Sequence, residues 1–123
     1  PDLKVIYCVN DEIGLGVSEA LEAAHIENYS GPKSQVASNG ILLRRDLHSL
    51  FDAHLISFEP VCGEYRLCGS YLLDKTDYAS FAGATLRQPN ERQWRPNTGF
   101  LEAHRIEFDR SEKKREKAGL LPY

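Results

Sequence analysis

The apolar positions in the first half of the chain form short runs with a strand-like pattern. Residues 3–9 (LKVIYCV), 21–26 (LEAAHI) and 40–43 (GILL) are brief and apolar, and polar or glycine-containing segments separate them. Runs of this length, bounded by turn residues, are typical of strands. We therefore predict a strand or a buried run at residues 3–9. The other two segments are predicted strands, which the polar loop of residues 27–38 joins into a hairpin.

A helical period replaces the strand-like pattern after this hairpin. Leu47, Leu50 and Phe51 recur at spacings of three and four residues, which places them on one face of a helix. Asp46 stands just before them, and aspartate is one of the residues that commonly cap a helix N-terminus. The pattern therefore predicts a helix over the segment DLHSLFDAH that opens at Asp46.

The second half of the chain predicts small strands followed by a long helix. The segments LISFEP, EYRLC and SYLL alternate enough for short strands, with turns at Gly63 and Gly69. DYASFAG is typical of a helical turn, and in the loop that follows we expect Trp94 to pack rather than to stack on a base. A helix is predicted from Thr98 to about Gly119. Together these elements predict an α+β fold.

Composition is that of one globular domain. The chain has 123 residues, 41% of them hydrophobic, so we expect a single domain over residues 1–123 with its core in residues 20–58. No apolar run approaches the roughly 18 residues that a membrane span needs, and a cytoplasmic protein is expected. Because the sequence begins at Pro1 and contains no methionine, we expect a piece of a longer protein with a fused specificity domain.

Charge and cysteine content limit which ligands and metal sites are expected. The net charge is −3, and residues 1–60 carry nine Asp and Glu against four Lys and Arg. Attraction of a polyanion would then have to be local, and Arg44 and Arg45 are candidate phosphate contacts. The three cysteines lack CxxC spacing, so we predict small buried thiols rather than a zinc knuckle or a disulfide framework; they are Cys8, Cys62 and Cys68.

Two histidines, an asparagine and an aspartate occur at positions that suit hydrolytic chemistry. His25 ends one predicted strand and Asn39 precedes the next, while His48 and Asp52 lie four positions apart on one helix face. A neutral imidazole can take a proton from water, and an asparagine can orient it without ionising. An imidazole and a carboxylate leave most of a divalent ion's coordination shell open. Taken singly, each has an ordinary structural interpretation, since Asn39 before glycine is also a turn signal.

The motif EAAHI followed by NGI-L-R-DLH-LFD resembles the HNH endonucleases, and within them a subgroup marked by these residues. In this chain the motif letters are residues 22–26, 39–41, 43–44, 46–48 and 50–52. The resemblance implies a ββα-metal unit, in which a hairpin and one helix lie across a divalent ion. It further implies small accessory antiparallel strands and a C-terminal helix.

The same resemblance assigns roles to individual residues. His25 would be the general base, Asn39 would brace the loop and orient the base, and His48 and Asp52 would hold the metal, with Asp46 as the first alternative to Asp52. Mg²⁺ or Mn²⁺ is the expected cofactor for turnover, and Zn²⁺, Co²⁺ or Ni²⁺ are also admitted. The expected partner is DNA, the expected setting is a bacterial or phage restriction or defence module, and a homodimer is left open.

The chain also departs from the family pattern. Ala24 stands where many HNH enzymes have a further acidic or histidine ligand, Asn28 replaces a usual proline, and His54 stands where the subgroup usually has glycine. The first departure keeps an alternative open, a catalytically impaired HNH-like module that binds nucleic acid. We interpret His54 and His104 as packing residues, because they follow or share apolar helical faces.

Overall fold

The chain forms two antiparallel hairpins and two helices. The structure, a computed structural model, describes residues 21–26, 40–88, 92 and 95–123, and only the backbone of residues 21–23. In chain order its elements are β1 (Leu21–His25), β2 (Gly40–Arg44), α1 (Arg45–Asp52), β3 (Ile56–Val61), β4 (Glu64–Gly69), 3₁₀ helices at Tyr71–Leu73 and Asp77–Phe81, and α2 (Thr98–Lys117). The predicted α+β class is confirmed. The strand predicted over residues 3–9 and the packing of Trp94 lie outside the described residues.

The first hairpin and α1 together form a ββα unit. β1 and β2 pair antiparallel, with His25 opposite Gly40. Successive strand residues face opposite sides, so Ala24 is fully buried while His25 is half-buried. α1 follows β2 directly and packs its buried Leu47 and Phe51 against the hairpin. The arrangement that the motif implies is therefore present.

The start of α1 differs from the prediction. The helix begins at Arg45 with Arg44 as its N-cap, and no side chain caps it, so the predicted opening at Asp46 is wrong by one residue. Asp46 lies in the first turn, where its Oδ1 accepts from the Leu47 amide at 2.9 Å. A carboxylate in the first turn still complements the partial positive charge of a helix N-terminus.

The second hairpin turns at two residues with left-handed backbone. Cys62 and Gly63 have φ angles of 51° and 82°, as the two central residues of a type I′ turn require. The predicted strands on either side of Gly63 are confirmed as β3 and β4. The prediction of buried thiols is wrong for Cys62, because a turn residue outside the paired strands is exposed. Cys68, within β4, is half-buried and also a free thiol.

The segment SYLL is not a strand. Tyr71–Leu73 forms a 3₁₀ helix, because Ser70 Oγ accepts from the Leu72 amide at 3.1 Å and donates to Glu112 of α2 at 2.5 Å. This cap and its tie to a distant helix replace strand pairing. The helical turn predicted for DYASFAG is confirmed as the second 3₁₀ helix, which Thr76 caps.

The C-terminal helix closes the core. Asn97 caps α2 by accepting from the Phe100 amide at 3.1 Å, and the helix ends before Gly119, whose φ is 72°. α2 packs on β3 and buries Leu101 and Phe108. None of the helices in the described part of the chain has the length and apolar character needed to cross a bilayer.

Candidate active site

A cleft of about 330 Å³ lies where β1 and α1 end beside α2. It is lined by three histidines, two carboxylates and two apolar residues: His25, His54, His104, Asp52, Glu107, Ile26 and Ala103. The cleft therefore joins two residues that the sequence predicts for the site, His25 and Asp52, to others that it does not.

His25 reaches this cleft because it is the last residue of β1. The strand alternates its faces, so the neighbouring Ala24 points into the core, where none of its surface is exposed. An acidic ligand at position 24 would be placed among apolar side chains rather than beside His25. The absence of that acid in this chain is thus consistent with the way β1 packs.

His48 and Asp52 point the same way from α1, as their spacing predicts. Nε2 of His48 and Oδ2 of Asp52 are 3.2 Å apart, with the aspartate side chain 59% exposed. Two ligand atoms at about 2.1 Å from one cation and at right angles to each other are about 3.0 Å apart, so the observed spacing fits a shared divalent ion. The pair also matches the donor types that Mn²⁺ and Zn²⁺ accept.

The structure says less about the other predicted site residues. Asn39 lies outside the described residues, so its predicted role stays a prediction. Among the residues that the structure describes, no group of three or more His, Cys, Asp or Glu side chains is arranged to hold a metal ion. The role of His48 and Asp52 as metal ligands therefore stays a prediction.

Asp46, the alternative metal ligand, is engaged elsewhere. Its carboxylate accepts from Arg44 Nε at 2.6 Å and Nη2 at 2.8 Å, and from the Tyr78 hydroxyl at 2.8 Å. Burial alone raises the pKa of the Asp46 carboxyl, but the hydrogen bonds from Arg44 and Tyr78 outweigh it and leave the pKa below its ordinary value. Asp46 is therefore held as an anion within a local network and does not line the cleft.

This network also engages Arg44, one of the two candidate phosphate contacts. The Arg44 side chain is only 14% exposed, since its guanidinium forms the two-point ion pair with Asp46 and lies 5.2 Å from the Phe81 ring centroid. Arg45 is exposed on the first turn of α1. The prediction that these arginines contact phosphate stays untested, and the geometry favours Arg45 over Arg44.

His104 is a core histidine, as predicted. Its Nε2 donates to the Phe51 carbonyl at 2.9 Å, so its Nδ1 accepts from the Ser57 hydroxyl at 2.7 Å. Burial lowers the pKa of His104 to about 4, which keeps the ring neutral near pH 7. The residue thereby ties α2 to the C-terminal end of α1, which carries Asp52.

Sequence reasoning missed two residues of the cleft. His54 packs on the His104 ring, as predicted, but it also lines the cleft, with a φ of 56°. Its replacement of a usual glycine was the available signal, since a positive φ favours glycine. Glu107 of α2 also lines the cleft and pairs with Arg110 at 2.5 Å. Its distance along the chain from the motif left no pattern by which to find it.

Comparison with known proteins identifies the family of this segment. Residues 7–59 match the family model described as HNH endonuclease, and this range contains β1, β2 and α1. The family indicated by the motifs is therefore confirmed for this segment of the chain. The match does not distinguish the subgroup. Comparisons with curated proteins and with solved structures gave no significant match.

Proposed function

We propose that the protein is a divalent-metal-dependent endonuclease that hydrolyses DNA phosphodiester bonds. The observation that carries the proposal is that His25 and Asp52 line one cleft, with His48 Nε2 3.2 Å from Asp52 Oδ2. All three residues lie in the segment that matches the HNH endonuclease family. A base and a carboxylate on one cleft, with an imidazole beside the carboxylate, are groups that metal-dependent hydrolysis of a phosphodiester can use.

The residues would divide the chemistry between them. An imidazole nitrogen of His25 accepts a proton from a water molecule, and the resulting hydroxide attacks phosphorus in line with the departing 3′ oxygen. A divalent ion held by His48 and Asp52 would supply electrostatic stabilisation of the charge on the phosphate and the leaving oxygen. The products would carry 3′-hydroxyl and 5′-phosphate ends.

The cleft is suited to this arrangement in size and rigidity. A volume of about 330 Å³ exceeds the roughly 30 Å³ of a water molecule several times, so a phosphate group and an attacking water fit together. The end of α1 that presents Asp52 is fixed by His104, through its hydrogen bond to the Phe51 carbonyl. Preorganised ligands of this kind lower the cost of reaching the reactive geometry.

The alternative of an impaired binding module rested on Ala24. Since position 24 faces the core, its lack of an acid removes no group from the cleft. We therefore favour the enzyme. A restriction or defence role is part of the proposal on the resemblance alone, and a homodimer and a cytoplasmic location stay predictions.

The proposal is tested by incubating purified protein with supercoiled plasmid DNA and adding Mg²⁺, Mn²⁺ or a chelator. We expect nicked circles with either metal and none with the chelator. Ligation of the nicks by a DNA ligase, without prior treatment of the ends, would confirm the predicted 3′-hydroxyl and 5′-phosphate. Plasmid binding without nicking in every metal tested would favour the binding module instead.

A further inference from the structure

His54 has a backbone conformation that residues other than glycine rarely adopt. Its φ of 56° is left-handed, and among the described residues Cys62 is the only other non-glycine residue with a positive φ. An L-residue pays roughly 1 kcal/mol or more for this region, although histidine tolerates it better than most. Glycine would remove that cost, so the histidine ring is present at a position that disfavours any side chain.

The ring of His54 is held in a fixed orientation. It stacks on His104 with the ring centroids 4.6 Å apart, and His104 stacks in turn on Phe51 at 3.7 Å with the planes within 5° of parallel. His104 cannot turn without losing its hydrogen bonds to Ser57 and to the Phe51 carbonyl. The three rings therefore form a rigid stack, and His54 is its member nearest to solvent.

Among the described side chains that line the cleft, His54 is well placed to donate a hydrogen bond into it. The lining carboxylates and apolar residues have no N–H group, and the single N–H of neutral His104 points to the Phe51 carbonyl. His25, as the proposed base, presents its acceptor nitrogen to the attacking water. Neither ring nitrogen of His54 has a hydrogen-bond partner among the residues that the structure describes.

We propose that His54 contacts the substrate directly, its imidazole N–H donating to a non-bridging oxygen of the phosphodiester that occupies the cleft. This inference rests on the proposed function, because the phosphodiester is the substrate assigned to the cleft. The stack on His104 positions the ring, and the contact offsets part of the repulsion between the phosphate and Asp52.

The first test compares His54→Gly with Cys62→Gly. Both substitutions replace a residue of positive φ by glycine, but Cys62 lies in the β3–β4 turn and does not line the cleft. Both variants should fold at least as stably as the parent. We expect kcat/KM for plasmid nicking to fall about tenfold in His54→Gly and to stay unchanged in Cys62→Gly. His54→Asn, which tolerates positive φ and supplies an N–H donor, should recover part of the loss.

A second measurement, by NMR, does not require the protein to cleave DNA. The chain has four histidines, and the imidazole NMR signals of His54 can be identified by their loss in His54→Gly. In the presence of a chelator, addition of a short DNA duplex should shift the His54 signals and leave those of buried His104 in place. If the parent nicks no DNA but the His54 signals shift, the nuclease proposal fails and the contact stands.

Two results would overturn the inference while leaving the nuclease intact. One is a parent that nicks DNA, together with His54→Gly nicking as fast as Cys62→Gly and His54 signals that the duplex does not move. The other is a calorimetric titration with Mn²⁺ alone in which His54→Gly binds the metal more weakly than Cys62→Gly. His54 would then be a metal ligand rather than a phosphate contact.

Discussion

At the residue scale, Asp52 differs from the other described carboxylates in having an imidazole nitrogen 3.2 Å away on the same helix face. An exposed pair of this kind contributes only about 0.3–0.5 kcal/mol to folding, so the stability of the helix does not require it. Because the pair lies beside the cleft, we propose that it serves as a pair of metal ligands. The same spacing of four residues that would make an ordinary surface pair also sets two donor atoms at the separation of neighbouring metal ligands.

Replacement of Asp52 by asparagine should therefore separate metal binding from folding. In Asp52→Asn we expect affinity for Mn²⁺, measured by titration calorimetry, to fall at least about tenfold, while the melting temperature stays close to that of the parent. Asp109→Asn is a matched control, because Asp109 is 51% exposed and forms an i,i+4 pair with Arg105 on α2, away from the cleft. Equal affinity in the two variants would remove Asp52 from the metal site.

The two described cysteines should differ in reactivity. Cys62 is exposed in the turn of the second hairpin, whereas burial raises the pKa of the half-buried Cys68 thiol to about 12. Because the thiolate is the nucleophile, alkylation of the folded protein near pH 8 should modify Cys62 well before Cys68. Peptide mapping by mass spectrometry measures both rates. Similar rates in the folded protein, like those expected after denaturation, would contradict this prediction.

At the scale of elements, the network of Arg44, Asp46 and Tyr78 joins the end of β2 and the start of α1 to the second 3₁₀ helix. A hydrogen bond to a charged, partly buried carboxylate contributes more than one at the surface. Tyr78→Phe should therefore lower the free energy of unfolding by about 1 kcal/mol, measured by urea denaturation.

Tyr71→Phe provides the comparison for this loss. The Tyr71 hydroxyl donates to the Leu120 carbonyl at 2.7 Å in an exposed position near the C-terminal end of the chain. Its removal should change the free energy of unfolding by less than about 0.5 kcal/mol. If the two tyrosine variants lose the same amount, the Asp46 network does not stabilise the junction in the way proposed.

The attachment of α2 to α1 should depend on pH through His104. The folded-state pKa of about 4 lies below the ordinary value of 6.5, so the unfolded chain binds the proton more readily between these values. Stability should be unaffected by this group above about pH 6.5 and should fall as pH drops toward 4, by up to about 3 kcal/mol. Urea denaturation across this range, with an NMR titration of the His104 ring, measures both effects. A His104 pKa near 6.5 in the folded protein would contradict the account.

At the scale of the whole molecule, the motif-bearing part of the fold was predictable and the connections between distant segments were not. The hairpin and α1 follow from local periodicity, because the apolar positions at Ile41, Leu43 and Leu47 specify one buried face. The 3₁₀ helix in place of a strand at SYLL depends on the bond from Ser70 to Glu112, 42 positions away. No local pattern contains that information.

The candidate site divides in the same way. His48 and Asp52 could be paired from their spacing alone, and the structure places them as expected. The predicted role of Arg44 as a phosphate contact did not include its ion pair with Asp46. Sequence alone does not show which carboxylate an arginine meets. Glu107 enters the cleft only because α2 packs beside α1, which is a tertiary contact. Residues supplied by a distant helix are therefore the part of the site that sequence reasoning misses.

The central claim is that the cleft containing His25 and Asp52 carries out metal-dependent hydrolysis of DNA. It is tested most directly by measuring the rate of plasmid nicking in Mg²⁺ or Mn²⁺ for the parent, His25→Ala, Asp52→Asn and the control Asp109→Asn. Each variant must first be shown to be folded. We predict that the parent and Asp109→Asn nick at the same rate and that His25→Ala loses about 10²–10⁴-fold. Asp52→Asn should nick DNA more slowly than the parent, and its rate should rise when more metal is added. Nicking by His25→Ala at the rate of the parent would contradict the account.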